Sequence, residues 1–316
     1  IMRMGGNEMK ILVLGDNTYE ESGSANYGDC FLIDNGKQLV IYDCGSTEHA
    51  EVVLKYMEKN KYDKVILVLS HNDADHFEGV NYLLNKGKIS KIRTVLLFKH
   101  LDAIEKELDD GRRNKRSIRN QIAELYDNIA SLSGENLEDI YDKQGNLLNN
   151  EVISGVKTVG PSFSYLIQAV AKHLNNQEGD TIDGETIYNA TSVQLEVKIG
   201  THKVLLCGDS NFQAIEKKLK DYDVIQLPHH GKKDQAEQIF AAKAEEPQTV
   251  YVVSDNTGKT NGGSDHLDER WAKGHHIRNT RKEGTITISE IALNNSRAGN
   301  GHTLGVRYEI FSTKRI

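Results

Sequence analysis

The chain has 316 residues, with 39 Lys and Arg against 46 Asp and Glu, a net charge of −7. That balance excludes a generally cationic nucleic-acid binder, so any site for an anionic ligand must be local. Hydrophobic content of 38% and a mean hydropathy of −0.54 describe a polar chain. Its apolar runs, such as Val65–Leu69, fall far short of the roughly 20 residues a membrane helix needs. No export signal is visible in the first ten residues, and the expectation is a cytoplasmic protein with no membrane association. Ile1 is not a natural start, so residues 1–8 are expected to be a remnant of expression and 9–316 a single domain.

In chain order, Lys10–Leu14 predicts a short strand. Phe31–Asp34 and Gln38–Asp43 flank Asn35-Gly36, a hairpin signal. Glu48–Lys59 reads as a helix with Val52, Val53, Tyr56 and Met57 on one side. Val65–Leu69 is a strand of buried type, Phe77–Asn85 a helix and Thr94–Phe98 a further strand. Val193–Ile199 and Val204–Cys207 form a second hairpin around Gly200. Helix Ala214–Lys220, strand Val224–Leu227, helix Gln235–Ala244 and strand Thr249–Ser254 follow. Helix Leu267–Lys273 and strands Thr285–Ser289 and Leu304–Phe311 complete the chain. Alternating strands and helices in both halves predict an α/β fold with mixed sheets.

Residues 100–187 interrupt this rhythm with long polar helical stretches, where Ile118, Ile122, Leu125 and Ile129 recur at helical spacing. The densest basic run of the chain, Arg112-Arg113-Asn114-Lys115-Arg116, lies just before them. This region is expected to be a helical insertion or lid. Cys30, Cys44 and Cys207 are odd in number, form no C-x-x-C pair and lie in or beside strand-like runs. They read as small buried hydrophobes.

Strand Val65–Leu69 runs directly into Ser70-His71-Asn72-Asp73-Ala74-Asp75-His76. Four metal-ligand side chains crowd into six residues at a strand end, where α/β sheets open into a crevice. A loop that merely caps the next helix needs one Asp or Ser, not two His and two Asp. Positions 71, 73 and 75 share a side if the turn stays extended.

The run resembles the His-x-His-x-Asp-His signature of the metallo-β-lactamase superfamily, with Asp73 in place of the second His. Leu205-Leu206-Cys207-Gly208-Asp209 resembles that family's strand ending in Gly-Asp. Val224–Leu227 followed by Pro228-His229-His230-Gly231 resembles its later strand ending in a ligand His. Gly28-Asp29 and Asp43-Cys44-Gly45 resemble its N-terminal hairpin. A narrower likeness is to the hydrolase domain of ComEC-type competence proteins, carried by Asp73, by Asn189-Ala190-Thr191-Ser192, by Pro-His-His-Gly, and by Asn261 to His266 with Thr280 and Gly284-Thr285-Ile286.

The resemblance implies an αββα four-layer sandwich and a metal-dependent hydrolase. It implies two divalent ions about 3.5–4 Å apart sharing a hydroxide. One ion falls to His71, Asp73 and Asp209, the other to Asp75, His76, Asp209 and a His from 229/230. His229 is taken as the ligand, with Asp75, Asp209 and His230 as the catalytic set. Many relatives add one more His to the first site. His100, His173 and His202 lie in helix or turn contexts, and Asn189 and Ser192 occupy that region, so the first ion is expected to be held more weakly. Three carboxylates bring two divalent ions and a hydroxide to about zero net charge, and this thiolate-free set suits Mn²⁺ or Mg²⁺, with Zn²⁺ also accommodated.

Asp29 and Asp43 are expected to support the metal loop by accepting from the far ring nitrogens of ligand histidines. His49, His100, His275 and His276 are expected to be solvated. Asn189, Ser192, His266, Arg112, Arg113, Lys115 and Arg116 are expected to contact substrate. The leading expectation is a phosphodiesterase or nuclease acting on nucleic acid or another phosphodiester. The alternative is a hydrolase of a small ester, lactone or amide on the same core. A protein partner that brings the substrate is left open.

Overall fold

The computed structural model describes residues 8–15, 26–108, 114–125, 129, 132, 136–148, 151–175, 182, 184–256 and 274–297. Fourteen strands among them form two seven-stranded mixed sheets flanked by helices. The first sheet holds β1 (Lys10–Val13), β2 (Phe31–Asp34), β3 (Leu39–Tyr42), β4 (Val65–Val68), β5 (Ile89–Thr94), β6 (Leu137–Asp139) and β14 (Ile286–Ser289), in the order β14-β1-β2-β3-β4-β5-β6. The second holds β7 (Glu151–Ile153), β8 (Val156–Gly160), β9 (Gln194–Ile199), β10 (His202–Leu206), β11 (Val224–Gln226), β12 (Val250–Val253) and β13 (His276–Asn279), in the order β13-β12-β11-β10-β9-β8-β7.

Both sheets follow one plan. From β14 to β3 the neighbours are antiparallel, and from β3 to β6 they are parallel. From β7 to β10 the neighbours are antiparallel, and from β10 to β13 they are parallel. Parallel neighbours need crossover connections, and helices supply them. These are α1 (Thr47–Asn60) and α2 (Ala74–Asn85) on the first sheet.

Period-two alternation divides the second sheet between two cores. Val204, Leu206, Val224 and Val252 join the core shared with the first sheet. Leu205, Ile225, Tyr251 and Val253 join a separate cluster with Ile239 and Phe240. The expected hairpins occur as read, with Asp34 opposite Leu39 and His202 opposite Ile199. Cys30, Cys44 and Cys207 are free and buried.

Several expectations need correction. The strand expected at Thr94–Phe98 lies earlier, at β5; Val95–Leu97 are buried after its end, and Leu97–Lys99 is a 3-10 turn. The helix expected at Ala214–Lys220 is a short turn, Phe212–Ile215, followed by a 3-10 stretch. Residues 100–187 are not purely a helical insertion. They do contain α3 (Leu101–Leu108), α4 (Lys115–Leu125) and α5 (Phe163–Asn175), but also β6, β7 and β8, which extend both sheets. Residues 267–273 and 304–311, expected as a helix and a strand, lie outside the described residues. Later in the chain come α6 (Lys233–Ala242) and α7 (Glu290–Arg297).

Candidate metal centre

The centre forms where the C-terminal ends of β4, β10 and β11 meet. After β4 the chain does not stay extended through residue 75, as the alternation argument required. Asp73 is the extended residue before α2, and Asp75 sits in that helix's first turn. Gly28 makes this possible. Its φ is +64°, and a Cβ there would lie 1.7 Å from the Asp75 carbonyl oxygen. Only glycine lets the two backbones approach so closely, and the Asp29 N–H donates to that same carbonyl at 2.9 Å.

Four histidines and two aspartates converge. His71, His76 and Asp209 bring one ligand atom each within 4.8 Å of one another, and so do Asp75, His76 and His230. His76 Nε2 lies 3.3 Å from Asp209 Oδ1. Asp209 Oδ2 lies 3.9 Å from His230 Nε2 and 4.0 Å from His229 Nε2. One carboxylate therefore faces both groups.

Each inward-facing ring is held from behind. His76 Nδ1 contacts Asp43 Oδ2 at 2.9 Å, and His230 Nδ1 contacts Asp29 Oδ1 at 3.1 Å. His71 Nδ1 meets only hydroxyls, Ser70 at 2.9 Å and Ser192 at 3.3 Å. Asp75 Oδ2 accepts from Asn26 at 2.8 Å and contacts His230 Nε2 at 3.1 Å. The roles expected of Asp29 and Asp43 match these contacts. Asn26 was not anticipated.

His230, rather than His229, falls in the second donor group. Both adopt left-handed backbone, with φ of 52° and 55°, at a cost of order 1–3 kcal/mol each. This turn buries His230 against Asp75 and leaves His229 part-exposed outside both groups, its Nδ1 2.7 Å from Glu185 Oε2. Glu185 is itself buried, and Lys232 Nζ donates to its other oxygen at 2.9 Å. Asp73 also belongs to neither group. Its side chain is 38% exposed, with Oδ2 3.5 Å from His71 Nε2.

Asn189 and Ser192 do not line an open substrate surface; both are buried. Asn189 Nδ2 donates to Glu185 at 3.1 Å, and the Ser192 hydroxyl accepts from the Asp209 backbone N–H at 3.3 Å. His49 and His100 are buried rather than solvated, and His100 pairs with Asp139 at 2.8 Å. Exposed Lys115 is ion-paired with Asp102, and Arg116 is exposed on the same helix. Arg112, Arg113 and His266 lie outside the described residues.

The electrostatics are those of a charged cluster out of water. Burial opposes charge on His76, but Asp209 and Asp43 outweigh it and hold its pKa well above 6.5. Burial likewise opposes charge on His230, and Asp29 and Asp209 overcome it. Burial would raise the pKa of Asp209, yet His76, His230 and His229 hold it well below the usual carboxylate range. Asp75 is low for the same reason, chiefly through His230.

The donor set fits a metal. His71 Nε2, His76 Nε2 and Asp209 Oδ1 are buried and make no hydrogen bond, which is costly unless another partner satisfies them. All three point into one group. The sequence matches the Metallo-beta-lactamase superfamily over residues 23–254. The chain belongs to that superfamily. Its fold is that of a metal-dependent hydrolase, and such folds typically hold divalent ions such as zinc.

No curated protein matches the chain. Among solved structures, the metallo-beta-lactamase fold protein YhfI from Bacillus subtilis is 15% identical, with a TM-score of 0.49 over 89% of this chain and 99% of that one. A diphosphatase from the PhnP family is 12% identical, with a TM-score of 0.43 over 89% and 97%. The short form of human tRNase Z is 14% identical, with a TM-score of 0.36 over 89% and 99%. Among the described residues, no helix of this superfamily member is long and apolar enough to cross a membrane.

Proposed function

We propose that this superfamily member is a phosphodiesterase of nuclease type that works with two divalent ions, in keeping with its ComEC-like sequence motifs. The observation that supports this most is Asp209, whose two oxygens face the His71/His76 group and the His230/His229 side. His71, Asp73 and Asp209 would hold one ion, and Asp75, His76, His230 and Asp209 the other. Bound there, divalent ions supply Lewis acidity toward phosphoryl oxygens and a more acidic water. Manganese and magnesium suit this thiolate-free set, and zinc is accommodated by its imidazoles.

The chain's own residues do the orienting. Asp29 and Asp43 fix which nitrogen of His230 and His76 faces inward. His229 is placed to give a proton from Nε2 to a departing alkoxide, while Glu185 holds its Nδ1–H. Burial opposes charge on His229, but Asp209 and Glu185 raise its pKa, which favours the doubly protonated ring.

The test uses chelated and metal-reloaded protein on bis(p-nitrophenyl) phosphate and on p-nitrophenyl acetate. Metal-dependent cleavage of the phosphodiester is expected. Cleavage of the acetate alone, or full activity in exhaustive chelator, overturns the reading. For a nucleic-acid substrate, neutralising Arg112, Arg113, Lys115 and Arg116 should flatten the salt dependence of binding by roughly 0.7–0.9 log units per lost phosphate contact. The small reporter should be unaffected.

A further inference from the structure

A cavity of about 160 Å³ lies between α1 and the β14-β1-β2 margin of the first sheet. Its floor is set by register. Thr287, Leu12 and Leu32 stand directly opposite one another across three strands. Two residues further along β1 on the same face, Lys10 stands opposite Asp34. The roof is one stripe of α1, formed by Val52, Lys55, Tyr56 and Lys59 at i, i+3, i+4 and i+7.

Two independent features of this cavity select a ligand class. The first is its lining, apolar along the floor. A cavity of about 150 Å³ lined by aliphatic and aromatic side chains stays dry and takes up a benzene-sized group. A small hydrocarbon group therefore suits the apolar floor. The second is charge. Lys10, Lys55 and Lys59 all line the cavity of a chain whose net charge is −7. Lys55 and Lys59 are exposed, and like charges at i, i+4 on a helix repel. The carboxylate nearest Lys10, Asp34 at 3.7 Å, already accepts from the hydroxyls of Tyr56 and Tyr62.

We propose that this cavity binds a small anionic amphiphile, an alkyl carboxylate whose hydrocarbon end fills the apolar floor while its carboxylate meets the amines of Lys55, Lys59 and Lys10. The anion relieves the repulsion between the two helix lysines. The apolar end satisfies the requirement that the floor sets.

Octanoate is the probe, with octylammonium as the charge-reversed control of equal chain length. Titration of the full chain by calorimetry, with methyl NMR on leucines, reads stoichiometry and place. One octanoate per chain should bind saturably and shift the methyls of Leu12, Leu14 and Leu32. Octylammonium should bind at least tenfold more weakly. The surface variant Lys55→Gln/Lys59→Gln should weaken octanoate at least fivefold without lowering thermal stability, and Val52→Phe should block it by filling the slot. A carboxylate can also reach the candidate metal centre, so each titration is run with zinc and with excess chelator, and binding should be the same in both. Octanoate that fails to saturate, that binds only with zinc, that binds Lys55→Gln/Lys59→Gln equally well, or that is matched by octylammonium overturns the proposal.

Discussion

On the His230 side of the candidate centre, each inward-facing histidine has a fully buried carboxylate behind it. Asp43 stands behind His76, and Asp29 behind His230. Behind His71 itself the same task falls to two serine hydroxyls, and the neighbouring Asp73 is 38% exposed. A carboxylate fixes the ring and raises its basicity; a hydroxyl fixes it more loosely. Backbone strain follows the same division. Asp43, His229 and His230 adopt left-handed backbone although none is glycine. Under the two-ion reading proposed above, the first side would hold its ion tightly, at a conformational cost, and the second would exchange it.

The largest effect should come from the one residue that serves both sides. Asp209→Asn should lower kcat/KM by more than the roughly 100-fold ceiling typical of outer partners of a metal ligand, and metal analysis should show the loss of both ions. Asp73→Asn should cost about tenfold or less and affect only the weaker ion. Equal losses in the two variants would break the comparison.

The supporting residues give a smaller contrast. Asp43→Asn should weaken the tighter ion by about 10–100-fold in competition with a chelator. Ser192→Ala should weaken the other ion by only a few-fold, because its hydroxyl contact to His71 Nδ1 is long and Ser70 remains at 2.9 Å. If Ser192→Ala matches Asp43→Asn, the hydroxyls are holding His71 as firmly as a carboxylate would.

How far this arrangement can be read from sequence depends on whether its parts are local. The His71–His76 run is legible because four ligand types crowd into six residues after a buried strand. Gly208-Asp209 and Pro228–Gly231 are legible because each closes a clear apolar strand. Asn26 and Glu185 are single polar residues whose partners lie 49 and 44 positions away, so no local pattern marks them. Which of His229 and His230 joins the donor group turns on two left-handed residues in succession, which sequence disfavours for non-glycine positions. In the fold, β6 and β7 escape notice because three residues carry too little periodicity. His49 reads as a surface residue in the first turn of a helix, yet it is completely buried.

The smallest effect at neutral pH, and the sharpest check on the role of the carboxylates, concerns that same His49. His49, His76 and His230 are all buried. For His76 and His230, paired carboxylates overcome burial and raise the pKa. For His49, burial dominates, Asp29 offsets it only in part, and the pKa falls to about 4. The consequences for metal-free stability have opposite signs. The contribution of His76 and His230 is fully present below pH 6.5 and is lost as pH rises through their raised values. That of His49 is fully present above pH 6.5 and is lost as pH falls toward about 4. At full extent it corresponds to about 3 kcal/mol. Denaturant unfolding of chelated protein at pH 4.5, 5.5 and 7, continued to pH 10, should therefore show a steeper acid loss in the native chain than in His49→Gln. The alkaline limb, which belongs to the carboxylate-backed pair, should be the same in both. A variant that keeps the full acid slope would show that burial alone does not distinguish His49 from the two carboxylate-backed histidines.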